Sequence, residues 1–178
     1  MDLILLSGNS VYTKEWIESV KEELKELFYS TYIYYYNHWE TGEKNIDLDF
    51  ELRKLSEYLN SKKNYIIFAK SAGAVLVLRA VSEGKISPKK CMFTGIPLSW
   101  CNELCIPFTK WIKNYKIPTY FVQKTKDPYL NFDELKKILE ENDVKNFKLI
   151  KISGEDHQYN NLKELKELME ELMDNQTI

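Results

Sequence analysis

The sequence predicts an α/β fold, a doubly wound three-layer sandwich whose mostly parallel, six-stranded sheet carries helices on both faces. Along its 178 residues, short apolar segments of strand length alternate strictly with longer segments of helical apolar spacing. One helical segment, residues 72–81, is apolar on nearly every side and is therefore expected to be buried against the sheet. We find no linker, repeat or low-complexity segment, so residues 1–178 are predicted to form a single domain.

The first half of the chain begins with a strand and alternates regularly. The apolar run Leu3–Leu6 predicts the first strand, and β-branched and aromatic residues predict strands at 32–36 and 65–69. Apolar residues that recur every three or four positions predict helices over residues 16–28 and 47–59.

The second half continues this alternation. Pro118 stands at the first position of its predicted strand, where the missing N–H is tolerated. The remaining predicted elements are strands over residues 91–94, 118–123 and 147–152, and helices within residues 102–114, 132–139 and 162–173.

Composition and charge narrow the class of protein. The hydrophobic fraction of 44% and the charged fraction of 29% are ordinary for a globular protein. The net charge of −2 lacks the basic excess of a general nucleic-acid or anionic-membrane binder. No apolar run approaches the roughly 20 residues of a membrane span. We therefore expect no nucleic acid and no membrane among the partners, and a monomer or small homo-oligomer.

The cysteines and the amino terminus indicate the compartment. Cys91, Cys101 and Cys105 are odd in number, which is typical of a reducing cytosol. The Leu3–Leu6 run is too short for a secretory signal, and no basic segment precedes it. A metal site at Cys101 and Cys105 would need further ligands, which the neighbouring sequence lacks. We expect packing thiols, no metal and a cytoplasmic protein.

The segment from Ile66 to Val75 is the most informative part of the sequence. An apolar strand leads into a serine between small residues, and an apolar helix follows, so Ser71 would lie on a sharp turn. Such a turn exposes the serine Oγ and points the N–H groups that follow it toward the atom that Oγ attacks. Residues 69–73 match the nucleophile elbow G-x-S-x-G except that alanine replaces the first glycine. Ser71 is therefore a candidate nucleophile.

A serine nucleophile needs partners, and the segments that follow other predicted strands contain them. His157 follows the sixth strand and can act as the base that a serine hydroxyl requires. Asp127 follows the fifth strand and can orient the imidazole. Asp156, Glu155 and Asp133 are alternative acids, although Asp156 adjoins His157 and neighbours in an extended loop usually point apart. Ligands of doubly wound sheets bind at the carboxyl ends of the strands, where these side chains should meet.

With serine, acid and histidine in this order, the chain resembles the α/β-hydrolase superfamily, in a small form without a lid or the first two strands. Lys126-Asp127-Pro128 is similar to the family's K-D-P, and residues 154–157 are similar to its G-x-x-H. The resemblance implies the strand order 2-1-3-4-5-6. It also implies an oxyanion hole formed by the N–H of Ala72 and that of the residue after a His-Gly pair. Ser7-Gly8 stands in place of that pair, so Asn9 is the matching donor.

Other residues at this predicted edge have ordinary interpretations. Lys70, just before the candidate nucleophile, is similar to the end of a phosphate-binding loop, but the glycines of such a loop are absent. We therefore expect an exposed lysine. His38 is expected to be structural or to line a pocket. Trp39, Trp100 and Tyr129 either line an acyl or aryl pocket or anchor the core and loops.

The sequence thus predicts a small serine hydrolase that cleaves a carboxylic ester or thioester without a metal or cofactor. Two alternatives come from other classes of protein. Residues 7–10 are similar to the FMN phosphate loop of flavodoxins, because hydroxyls and N–H groups at a helix N-terminus suit a phosphate. The third possibility is an interaction protein of the hydrolase fold with weak turnover. The substrate itself cannot be read from the sequence, because fold analogy does not supply pocket specificity.

Overall fold

One open sheet of six parallel strands organises the structure, a computed structural model that describes residues 1–175. The strand order is β2-β1-β3-β4-β5-β6, and every neighbouring pair is parallel. The strands are β1 (Asp2–Leu6), β2 (Ser30–Ile33), β3 (Tyr65–Lys70), β4 (Lys90–Thr94), β5 (Thr119–Lys124) and β6 (Phe147–Ile152). The predicted fold class and strand order are confirmed.

Helices cover both faces of the sheet. They are α1 (Lys14–Leu24), α2 (His38–Thr41), α3 (Leu48–Leu59), α4 (Ala72–Ser82), α5 (Leu98–Glu103), α6 (Phe108–Ile112), α7 (Phe132–Glu141) and α8 (Leu162–Asp174). The apolar sides of α1 and α8 enclose one core with the sheet, while α3, α4, α6 and α7 enclose the other. As its composition predicts, α4 is buried along almost its whole length. Within residues 1–175, no helix has the length and apolar character that crossing a bilayer would require.

The tyrosine-rich segment after α1 departs from the predicted elements. The strand predicted over residues 32–36 lies earlier, at Ser30–Ile33. Tyr34 and Tyr36 are buried for another reason, because their hydroxyls donate to the Glu51 carboxylate at 2.6 Å and to the Ser7 carbonyl at 2.8 Å. The apolar signal of these tyrosines therefore comes from two side chains buried beneath a loop and not from a strand.

The helix predicted within residues 102–114 is in fact two short helices, α5 and α6. Pro107 precedes α6; it has no N–H to donate and disfavours the helical conformation at Ile106. Cys105 turns the chain between the two helices with a φ of 53°. Together with the short α2, this break gives eight α-helices in the described part of the chain instead of the six predicted.

The turn from β3 into α4 has an unusual backbone. Ser71 has φ 52° and ψ −120°, a combination that residues other than glycine rarely adopt. Two hydrogen bonds of 3.0 Å fix the turn, from the Ser71 N–H to the Thr94 carbonyl and from the Gly73 N–H to the Ser7 carbonyl. The turn is therefore tied to the ends of both neighbouring strands, β4 and β1.

Gly73 packs too closely against β1 and the loop that follows it to accept a side chain. An added Cβ would lie 2.6 Å from the Ser7 carbonyl oxygen and 2.8 Å from Leu6 Cβ. We predict that Gly73→Ala lowers the free energy of unfolding by about 2 kcal/mol or more, measured by urea denaturation. Gly42→Ala is the control, because Gly42 has a φ of 78° but no atom within 4 Å of an added Cβ. Gly42→Ala should lower the free energy of unfolding by only about 1 kcal/mol. Equal losses of stability in the two variants would contradict the packing argument.

Candidate active site

The loops after β5 and β6 bring Asp127 and His157 together. His157 Nδ1 lies 2.8 Å from Oδ2 and 3.0 Å from Oδ1 of Asp127. The Asp127 carboxylate also accepts the Tyr159 hydroxyl at 3.0 Å and the Tyr129 N–H at 2.9 Å, and its side chain is fully buried. Because an ionised carboxylate only accepts hydrogen bonds, His157 Nδ1 is the protonated nitrogen, and Nε2 of a neutral ring has a free lone pair.

The other ring nitrogen of His157 makes no hydrogen bond to Ser71 Oγ, although the two residues line the same cavity. Nε2 is buried and has no hydrogen-bond partner among residues 1–175. His157 and Ser71 line one cavity of about 160 Å³. Its lining residues are Gly8, Asn9, Ser10, Thr13, Lys70, Ser71, Trp100, Tyr129 and His157. The cavity therefore gathers the serine, the histidine and Asn9 of the sequence-predicted set.

The three alternative acids have other positions. Asp156 pairs with Lys124 at 2.8 Å, and Glu155 pairs with Lys126 at the same distance. Asp133 lies in the first turn of α7. Of the four candidates, Asp127 is the one that contacts His157.

The loop after β1 passes directly beside Ser71. A Cβ added to Gly8 would lie 3.5 Å from Ser71 Cβ and 3.9 Å from Ser71 Oγ. The next residue, Asn9, has an N–H that makes no hydrogen bond within the described chain. Ala72 is the first residue of α4, so its N–H has no acceptor within the helix. Neither N–H group is therefore engaged by a backbone carbonyl of the described chain.

Five hydrogen bonds fix the conformation of Asn9, and the longest runs 3.4 Å from its side-chain amide to Asn45 Oδ1. Its side chain accepts the Ile46 N–H at 2.8 Å and donates to the Lys44 carbonyl at 3.0 Å. Its own carbonyl accepts the Trp39 indole N–H at 3.0 Å and contacts His38 Nε2 at 2.6 Å. A carbonyl only accepts, so His38 Nε2 carries a proton. His38 therefore helps to fix the loop, and it also lines a cavity beside Asn9, so both of its expected positions apply.

The candidate aromatic residues lie around two neighbouring cavities. Trp100 and Tyr129 line the cavity of Ser71, and the Tyr129 ring centroid is 4.5 Å from that of His157. Trp39 lines an adjacent cavity of about 310 Å³ that shares Asn9 and Ser10. Two of the three aromatics are thus positioned to contact a ligand of Ser71.

Several residues that hold the site were not identified from the sequence. Gly95 has a φ of 64°, and a Cβ there would lie 2.8 Å from both the His157 and Tyr159 rings. Gln123 is buried and links two loops, since it accepts the Ile96 N–H at 2.9 Å and donates to the Leu130 carbonyl at 2.5 Å. The position of Gly95 directly after a predicted strand is a sequence signal that could have identified it as part of the site. Nothing in the pattern marks Tyr159 or Gln123.

The expectation of an exposed Lys70 was wrong. As the last residue of β3, Lys70 is only 6% exposed, and its Nζ lies 4.4 Å from the centroid of the Trp16 ring. Within residues 1–175 the ammonium makes no hydrogen bond or ion pair. Burial lowers the pKa of Lys70 to about 8, although the charge of Asp127 opposes the shift. The apolar surroundings come from residues distant in sequence, so local patterns could not reveal them.

Solved structures share this fold. The Pyrococcus furiosus esterase Pf2001 matches with a TM-score of 0.75 and 18% identity, over 97% of this chain and 81% of the esterase. Alpha/beta hydrolase domain-containing protein 10 from mouse gives a TM-score of 0.69 and 12% identity, over 97% and 89% of the two chains. An uncharacterized protein from Bacillus cereus ATCC 10987 gives a TM-score of 0.72 and 17% identity. This chain is covered over 97% of its length but spans only 60% of the B. cereus protein.

Comparison with protein-family models and with curated protein sequences gives no match. The structural matches establish that the chain has the α/β-hydrolase fold, as the resemblance in its sequence implied.

The burial of Lys70 leads to a stability prediction. Lys70→Met keeps an unbranched apolar stem and removes a charge that folding desolvates, so the free energy of unfolding near pH 7 should rise by about 2 kcal/mol. The pKa of Lys70 lies below its ordinary 10.5. Above a pH of about 8 the folded state therefore loses the proton while the unfolded state keeps it, and wild-type stability rises.

Urea unfolding of both proteins near pH 7 and near pH 10 measures this difference. The advantage of Lys70→Met should shrink at the higher pH. Lys126→Met, which removes an exposed lysine, is the control and should change stability by less than about 0.5 kcal/mol. A pH-independent advantage, or no advantage, would contradict the assignment of a desolvated charge to Lys70.

Proposed function

We propose that the protein is a cytoplasmic serine hydrolase that cleaves a carboxylic ester or thioester. One observation carries this proposal. His157 Nδ1 bonds to Asp127, His157 Nε2 has no hydrogen-bond partner among residues 1–175, and His157 lines the same cavity as Ser71. A histidine held in this way has the tautomer that a general base needs.

In the proposed acylation step, Ser71 Oγ attacks the substrate carbonyl and His157 Nε2 takes its proton. The Asp127 carboxylate stabilises the imidazolium that forms. Tyr159 and the Tyr129 N–H keep this carboxylate oriented toward His157. The imidazolium then returns its proton to the leaving alcohol or thiol, which leaves an ester on Ser71.

The N–H groups of Ala72 and Asn9 would stabilise the oxyanion. Each such donor contributes roughly 3 kcal/mol to transition-state stabilisation in comparable sites. The hydrogen bonds that fix Asn9 support this role, because a preorganised donor needs no rearrangement during the reaction. Water activated by His157 would then hydrolyse the acyl enzyme, and none of these steps requires a metal or cofactor.

Contacts in the loop after β1 favour the hydrolase over the flavin alternative. The Ser7 hydroxyl donates to the Thr13 carbonyl, and the Asn9 side chain bonds to residues 44–46. The Ser10 hydroxyl accepts the Tyr12 N–H. Two of the polar side chains that would bind a flavin phosphate, those of Ser7 and Asn9, are therefore engaged within the protein.

Labelling with a fluorophosphonate probe tests the nucleophile. We predict that the probe labels the wild-type protein and that Ser71→Ala abolishes the labelling, because the Oγ that would form the phosphonyl ester is gone. Ser153→Ala removes a hydroxyl in the loop after β6 and should label like the wild type. Equal labelling of Ser71→Ala would assign the reaction to another residue.

The acid is tested by a matched pair of isosteric substitutions. Asp127→Asn should reduce kcat for any ester that the protein hydrolyses by about a thousandfold or more, because an amide stabilises the wrong imidazole tautomer. Asp156→Asn removes a carboxylate from the residue beside His157 but only breaks the pair with Lys124, so kcat should stay within about threefold. The reverse ranking in steady-state kinetics would make Asp156 the acid.

A further inference from the structure

The proposed mechanism does not use the ammonium group of Lys70, although this residue lines the cavity of Ser71. Lysine is seldom buried unless it is paired, because desolvating its charge is costly. Lys70 is only 6% exposed, yet it contacts no carboxylate of residues 1–175. The two nearby carboxylates are engaged elsewhere, Asp127 with His157 and Asp156 with Lys124.

Lys70 and Ser71 lie side by side in the lining of one cavity. The two residues are adjacent in sequence and line the same cavity of about 160 Å³. The Trp16 ring, 4.4 Å from Nζ, supports the ammonium by a cation–π contact and leaves its hydrogen-bond donors unused. A ligand that fills this cavity would therefore contact Lys70 as well as Ser71.

The rest of the cavity lining also suits a negative charge. None of the nine lining residues, all within the described chain, is acidic. Ser10 and Thr13 belong to the segment that leads into α1, an 11-residue helix whose N-terminal end carries a partial positive charge. The cavity lining thus combines one largely buried lysine with a helix N-terminus and contains no acidic residue, although the Asp127 carboxylate lies nearby, bound to His157.

We propose that Lys70 binds a carboxylate of the substrate, so that the preferred ester or thioester is an anionic one. This inference rests on the proposed hydrolase function, and it assigns to Lys70 the role of a specificity-determining residue. The substrate carboxylate supplies the partner that the ammonium lacks, at a largely buried residue where a charge-assisted hydrogen bond is stronger than at the open surface.

Matched pairs of esters test the proposal and locate the carboxylate. Phenyl hydrogen succinate and its amide, phenyl succinamate, differ by one charge in the acyl part. The pair 4-acetoxybenzoate and 4-acetoxybenzamide differs by one charge in the leaving group. We predict that kcat/KM of the wild type favours the anionic member of at least one pair by about tenfold, and that Lys70→Met reduces this ratio to about one.

Lys126→Met is the matched control for these ratios. It makes the same change of charge at an exposed lysine beside Asp127 that does not line the cavity, so the ratio should stay at its wild-type value. A wild type without preference for either anionic ester would overturn the proposal. The proposal would also fail if Lys70→Met kept the wild-type ratio, or if Lys126→Met lost the ratio as fully as Lys70→Met does.

A binding measurement separates this inference from the proposed catalysis. Benzoate should raise the Tm of the wild type and not that of Lys70→Met, while benzamide should leave both unchanged. If benzoate behaves in this way but the fluorophosphonate does not label Ser71, the anion site stands and the hydrolase proposal fails. If Ser71 is labelled but benzoate shifts the Tm of both proteins equally, the hydrolase proposal stands and the role of Lys70 fails.

Discussion

The rest of the site depends on the backbone of Ser71, which is held in a sparsely populated conformation. Such a conformation costs about 1–3 kcal/mol and persists only where the surroundings enforce it. Here the carbonyls of Thr94 and Ser7, at the ends of the strands that flank β3, bind the turn from both sides. Hydrogen bonds to the central sheet therefore offset the cost of the strained turn. The same two hydrogen bonds also position the loops that follow β1 and β4.

The sequence was sufficient to predict the sheet and the main helices, because alternating apolar periods are a local signal. It also predicted that His157 and Asp127 would lie together, since both directly follow parallel strands that end at one edge. The exceptions were residues whose environment is set by distant partners. Tyr34 and Tyr36 were assigned to a strand because β propensity cannot distinguish a ladder from hydroxyls that bond across a buried loop. Lys70 was expected to be exposed because its cover, Trp16, comes from another element.

Lys70 illustrates how a site can oppose the stability of its own scaffold. A methionine stem would fill the space beside Trp16 without a desolvated charge, so packing alone gives no reason for lysine at this position. The apolar core on that face of the sheet is otherwise continuous, formed by side chains of α1, α8 and the strands between them. Residues that lower the stability of the fold in this way are characteristic of positions that bind a ligand.

The bonds around Asn9 have a further consequence for how the molecule could change during evolution. Its carbonyl and side chain connect the loop after β1 to two segments that lie much later in the sequence and close to each other, the short α2 and residues 44–46. The outer part of the loop that contains residues 42–44 is exposed and has no such bond of its own except at Lys44. Insertions between Thr41 and Lys44 could therefore reshape the rim of the cavity while the anchored peptide beneath it keeps its orientation. Changes in the length of the loop between Thr41 and Lys44 could therefore alter which ligands fit the cavity without moving Asn9.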